Sequence, residues 1–102
     1  MKKVFISQPM KGRTNEEIFK EREEAIEIVK GIVKDDVEVI DSFFKGAPVD
    51  AKPMWFLGKS IELLSTADVA YFCNGWENAR GCKIERECAE QYGIETIIDM
   101  VD

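Results

Sequence analysis

The 102-residue chain sets 14 Lys+Arg against 20 Asp+Glu and contains no His, for a net charge of −6. That length holds one domain, 1–102, and the acidic balance argues against binding to nucleic acid polymers or to an anionic membrane surface. Without His, a His-dependent triad, a His-ligated zinc site and an imidazole pH switch are excluded, so acid–base chemistry falls to carboxylates, Lys, Cys or Tyr.

Val4-Phe5-Ile6 is a short β-branched and aromatic run stopped by Gln8-Pro9, which predicts a buried first strand. Thr14-Asn15-Glu16-Glu17 has the form of a capping box. Ile18, Arg22, Ala25, Ile26, Val29, Ile32 and Val33 follow at helical spacing, with Arg22 the one polar break, so a helix is expected over 15–33. A second strand is expected over 37–41, then an irregular loop carrying Phe43 and Phe44, then a helix over about 54–65 with Leu57, Ile61 and Leu64 on one face. The apolar run 69–73 predicts a third strand broken by Asn74-Gly75. A helix over about 81–92 ends at Gly93, a residue suited to a left-handed stop. The last strand opens at Glu95-Thr96-Ile97-Ile98.

Three cysteines, Cys73, Cys82 and Cys88, cannot all pair and form no C-x-x-C, which reads as reduced thiols in a cytoplasmic protein. The amino-terminal apolar run is too short for a signal peptide, and no segment reaches transmembrane length.

The β-α-β-α-β-α-β alternation predicts an α/β fold, Rossmann-like or flavodoxin-like, with a four-stranded parallel sheet in the order 2-1-3-4 between two helical layers. Ligands of such sheets bind beyond the carboxyl ends of the strands where the winding reverses, here between strands one and three. This brings the loop holding Ser7, Gln8, Pro9, Met10, Lys11, Gly12 and Arg13 beside the segment holding Asn74, Gly75, Trp76, Glu77, Asn78, Ala79, Arg80 and Gly81.

Glu85 is the first candidate for chemistry. It lies early in the third helix, where backbone amides favour negative charge, so an ionised carboxylate is expected. Such a group can attack an anomeric carbon and support an oxocarbenium-like transition state; the alternative is one more acid on a charged helix. Lys11, Arg13 and Arg80 can clamp a phosphate with help from amides at Gly12 and Gly81, or serve as ordinary surface cations. Trp76, Met10, Phe43 and Phe44 can sandwich a heterocyclic base. Cys82 sits at a helix start, a setting that lowers a thiol pKa. Asp68, at the amino end of its strand, reads as structural.

The segments Val4-Phe5-Ile6-Ser7-Gln8-Pro9-Met10, Leu64-Ser65-Thr66-Ala67-Asp68-Val69 and Gly81-Cys82-Lys83-Ile84-Glu85-Arg86-Glu87-Cys88-Ala89 carry a resemblance over nearly the whole chain. It resembles the nucleoside 2-deoxyribosyltransferases and the related 2'-deoxynucleoside 5'-monophosphate N-glycosidases, in particular a short bacterial and phage branch. The resemblance implies that Glu85 is a nucleophile forming a covalent deoxyribosyl intermediate, with the sugar then passing to a second base or to water. Ser7, Gln8, Pro9, Met10, Gly12, Trp76, Asn78, Arg80 and Gly81 would hold the nucleoside or nucleotide. No metal or redox cofactor is implied, and a homodimer is. Ser60 stands where those enzymes place an Asp, and Ala79 where they place Asp or Ser. A noncatalytic nucleotide-binding module is therefore the alternative reading, with a flavodoxin-like electron carrier as a third.

Overall fold

A computed structural model describes residues 1–42 and 46–99. The expectation placed on Phe43 and Phe44 lies outside these residues. Four strands, β1 (Lys2–Ser7), β2 (Val37–Val39), β3 (Val69–Phe72) and β4 (Glu95–Ile98), form one sheet in the order β2-β1-β3-β4. Every neighbouring pair is parallel, with Val4 beside both Val39 and Val69, Ser7 beside Phe72, and Phe72 beside Ile98. The expected Rossmann-like α/β architecture is therefore present. β1 and β3, the two central strands, are also the most buried, as helices on both faces require.

Side chains alternate across the sheet and sort into two cores. Val4, Ile6, Val69 and Tyr71 point to one face, where α1 (Asn15–Ile32) covers them with Ala25 and Val29. Phe5, Ala70 and Phe72 point to the other, covered by Leu64 of α2 (Pro53–Leu64) and Ala89 of α3 (Arg80–Gln91). This parity sends Ser7, two residues beyond Phe5, toward α2 and α3, and sends Gln8 toward α1.

Local signals set the ends of the elements. Thr14 Oγ1 accepts from the Glu17 amide at 3.1 Å while the Glu17 carboxylate accepts from the Thr14 amide at 3.4 Å, closing the expected capping box. At the end of α3, Ile94 N donates to Ala89 O and Gly93 N to Glu90 O, with Gly93 at φ +73°. That pattern is a Schellman motif, which requires the left-handed residue. Asp68, read as structural, accepts from Lys3 N at 2.8 Å and donates its own amide to Lys3 O, clamping the start of β3 to β1. β2 is shorter than expected, ending at Val39 rather than at 41. Ile40 N still donates to Val4 O, but Ile40 O accepts from the Arg22 side chain. β1 and β3 thus end together at Ser7 and Phe72, β2 stops level with Val4, and the parallel chain leaves all three toward the same edge.

Thr14→Ala removes the capping acceptor and should cost about 1 kcal/mol of stability. Urea denaturation followed by circular dichroism should show a lower midpoint with an unchanged slope.

Candidate active site

Beyond that edge lies an open cavity of about 860 Å³. Its floor is β1, its walls are the segments following β1, β2 and β3, and the first turns of α3 close one side. The β3 segment turns at Gly75, whose φ of +88° is a backbone conformation that side-chain-bearing residues rarely adopt. A single 3₁₀ turn over Trp76–Asn78 then leads into α3. α3 begins at Ala79 with no side-chain cap, so its first amides, beside Arg80 and Gly81, remain available on the cavity wall.

Glu85 occupies the second turn of α3 and faces this cavity, with a residual exposure of 7%. Ser7 Oγ donates to Glu85 Oε1 at 2.7 Å across 78 residues of sequence. Burial raises the Glu85 pKa above its ordinary value, and the Ser7 hydrogen bond only partly offsets this. The expectation of a readily ionised carboxylate is thus corrected. Glu85 is one turn too far along α3 for the free amides to stabilise it fully, and desolvation dominates. Cys82 reverses in the same way. It is buried beside Ser7 and Glu85, and burial pushes its thiol up to about 11 despite its place at a helix start.

Of the residues expected to hold a ligand, Ser7, Gln8, Pro9, Met10, Asn78, Arg80 and Gly81 line the cavity; Lys11 and Ser60 line it too. Gly12 does not line it; it holds the outer turn of its loop at φ +77°. Trp76 does not line it either. Its ring packs edge-on against Phe72, with centroids 6.1 Å apart, and the Arg86 guanidinium lies 4.7 Å from the ring centroid. The indole therefore spends its faces on the core and on α3 rather than on a ligand. Arg13 is turned away as well. Its Nη1 donates to Glu21 Oε1 at 2.7 Å and to Pro9 O at 2.9 Å, so it braces the loop instead of clamping a phosphate.

Ser42 and Phe56 line the cavity without having been singled out as ligand residues. Ser42 follows β2 at the carboxyl edge of the sheet and so obeyed the same positional rule that selected the other segments. The Phe56 signal was weaker, an aromatic on the exposed side of a helix. Among the described lining residues Glu85 is the one acid, facing two cations, Lys11 and Arg80. The cavity is locally positive within a chain of net charge −6. A buried carboxylate, hydroxyls, two cations and uncapped helix amides on one cavity wall give a surface suited to an anionic ligand. Among the described residues no cluster of three His, Cys, Asp or Glu is arranged to hold a metal ion, and no helix is long and apolar enough to cross a membrane.

Residues 2–98 match the family described as a domain of unknown function (DUF4406), and the chain belongs to that family. No curated protein matches the chain.

Because the fold favours the protonated form of Glu85, its ionisation at neutral pH costs stability. That cost is absent below the carboxyl pKa of the unfolded chain and grows as pH rises through the folded value. Glu85→Gln, which keeps an acceptor for Ser7, should therefore melt at a higher temperature than the parent at pH 7. The difference should shrink toward pH 4 in scanning calorimetry.

Proposed function

We propose that the chain acts with the nucleoside 2-deoxyribosyltransferases and 2'-deoxynucleoside 5'-monophosphate N-glycosidases, cleaving or transferring at the N-glycosidic bond of a 2'-deoxynucleoside or its 5'-monophosphate. The observation that carries this reading is Glu85: almost wholly buried, open to a ligand-sized cavity, and held at one oxygen by Ser7. The hydrogen bond fixes the carboxyl plane and leaves Oε2 as the attacking atom. In the reaction Oε2 bonds to the anomeric carbon while the carbon–nitrogen bond breaks. The base leaves with the bonding pair and takes a proton from water at the open mouth. Water or a second base then attacks the same carbon and releases the Glu85 carboxylate.

The desolvation that raises the Glu85 pKa also strips its anion of water, which favours attack on a developing oxocarbenium centre. Lys11, Arg80 and the uncapped α3 amides suit a 5'-phosphate, and the Asn78 amide on the cavity wall suits a sugar hydroxyl. With Trp76 on the core, the apolar wall available to the base is Met10 and Phe56, both partly exposed. The reaction runs on side chains and needs no cofactor. The three free cysteines fit a cytoplasmic protein. Met54, exposed on α2 and outside the cavity lining, suits a homodimer face.

Ser60 favours a second reading. It lines the cavity where those enzymes carry an Asp to assist the nucleophile, which suits a module that binds the nucleotide without cleaving it.

Incubation with each 2'-deoxynucleoside 5'-monophosphate, followed by chromatography, should show released base. Glu85→Ala should reduce release by about a thousandfold or more. Base release undiminished in Glu85→Ala would overturn the role given to Glu85. Thermal stabilisation by the nucleotides without any release would favour the binding module.

The Glu85 anion is the active form, so the acid limb of kcat/KM should lie at a higher pH than that of a solvent-exposed Glu. Ser7→Ala removes a hydrogen bond that lowers the Glu85 pKa, and should move that acid limb to still higher pH.

A further inference from the structure

None of the residues of α1 lines the cavity, because α1 packs on the opposite face of the sheet. Two consecutive α1 residues nevertheless reach two of its walls. Glu21 Oε1 accepts from Gln8 Nε2 at 3.1 Å and from Arg13 Nη1 at 2.7 Å. The same two donors also bind backbone carbonyls, Gln8 Nε2 that of Ile18 at 3.0 Å and Arg13 Nη1 that of Pro9 at 2.9 Å. One carboxylate oxygen thus gathers both ends of the loop that presents Pro9, Met10 and Lys11 to the cavity. Arg22, 9% exposed, sends Nη2 to Ile40 O at 2.8 Å and Nη1 to Ser42 Oγ at 3.3 Å. Consecutive residues of a helix diverge by about 100°, which lets one pair serve two separate walls.

We infer that Glu21 and Arg22 are positioning residues, which set from behind the sheet the geometry with which the loop after β1 and the segment after β2 meet a ligand. The inference rests on the reading of the cavity as a deoxynucleotide site. Its chemical content is specific at Ser42. A guanidinium offers only donors, so the Ser42 oxygen meets Arg22 as an acceptor and the hydroxyl proton is directed elsewhere. Ser42 lines the cavity, and it offers a donor there, suited to a carbonyl, ring-nitrogen or phosphate acceptor on the ligand. Glu21, in turn, holds the loop with a side chain that keeps its negative charge out of the cavity, leaving Lys11 free for the anionic part of the nucleotide.

The test compares Glu21→Ala, Glu21→Gln and Arg22→Met with the parent in two measurements. Amide hydrogen exchange without ligand should rise at residues 10–12 in Glu21→Ala and at 40–42 in Arg22→Met, each without the other, while Glu21→Gln, which keeps an acceptor, should resemble the parent. With 2'-deoxynucleoside 5'-monophosphates, Glu21→Ala and Arg22→Met should raise KM by roughly tenfold, the scale of one lost charge-assisted hydrogen bond, with kcat little changed. Glu21→Gln should restore most of the parent KM. Unchanged exchange at these segments, an unchanged KM, a fall in kcat at constant KM, or a Glu21→Gln no better than Glu21→Ala would each overturn the inference. A parent that releases no base would instead remove the proposed reaction, and the exchange comparison alone would then decide whether the two residues hold the walls.

Discussion

The hydrogen bond from Ser7 to Glu85 joins the carboxyl end of the central strand β1 to the second turn of α3. Around it the two cores, the parallel register and the uncapped start of α3 fall into place. β1 must end at Ser7 with its side chain on the α3 face, which the alternation from Phe5 secures. α3 must be long enough and close enough to bring Glu85 to the same point, which the seating of Ala89 on Ala70 and Phe72 secures. Each half of the bond is therefore fixed by apolar packing elsewhere, and the polar contact carries a geometry that the cores impose.

A carboxyl group so placed works against the stability of the fold. Its ionised form is desolvated and has one hydrogen-bond donor in Ser7, a poor exchange for the water it loses. A chain selected for stability alone would gain by placing an amide or an apolar residue there. Such a conflict between local energetics and residue identity is the kind of departure that accompanies a functional group, because the strain is useful only if the group reacts or binds.

Features that depend on near neighbours were legible in the sequence. The strand order, the capping box at Thr14, the left-handed stop at Gly93 and the structural role of Asp68 all follow from short-range pattern or from the chirality of βαβ connections. The segments after β1 and β3 that line the cavity were legible by the same rule. What escaped depended on packing between distant residues. Trp76 reads as a loop aromatic until the turn at Gly75 folds it back onto Phe72 and under Arg86. The protonation tendency of Glu85 and of Cys82 is hidden in the sequence because helix position is visible there and burial by remote segments is not. Arg22 was visible as a polar break in an apolar stripe. Its reason, the carbonyl of Ile40 and the hydroxyl of Ser42, emerges only once β2 lies beside β1.

The burial of Cys82 has a consequence for chemical selectivity. A thiol pushed up to about 11 is almost entirely un-ionised at neutral pH, and it is the thiolate that reacts with electrophiles and oxidants. Two potential nucleophiles thus sit one helical turn apart in the same cavity. Burial raises both, but it starts the thiol from a far higher value, so near neutrality the carboxylate is much the closer of the two to its reactive form. An electrophile that enters the cavity near neutrality therefore meets a carboxyl oxygen closer to its ionised state than the sulfur beside it.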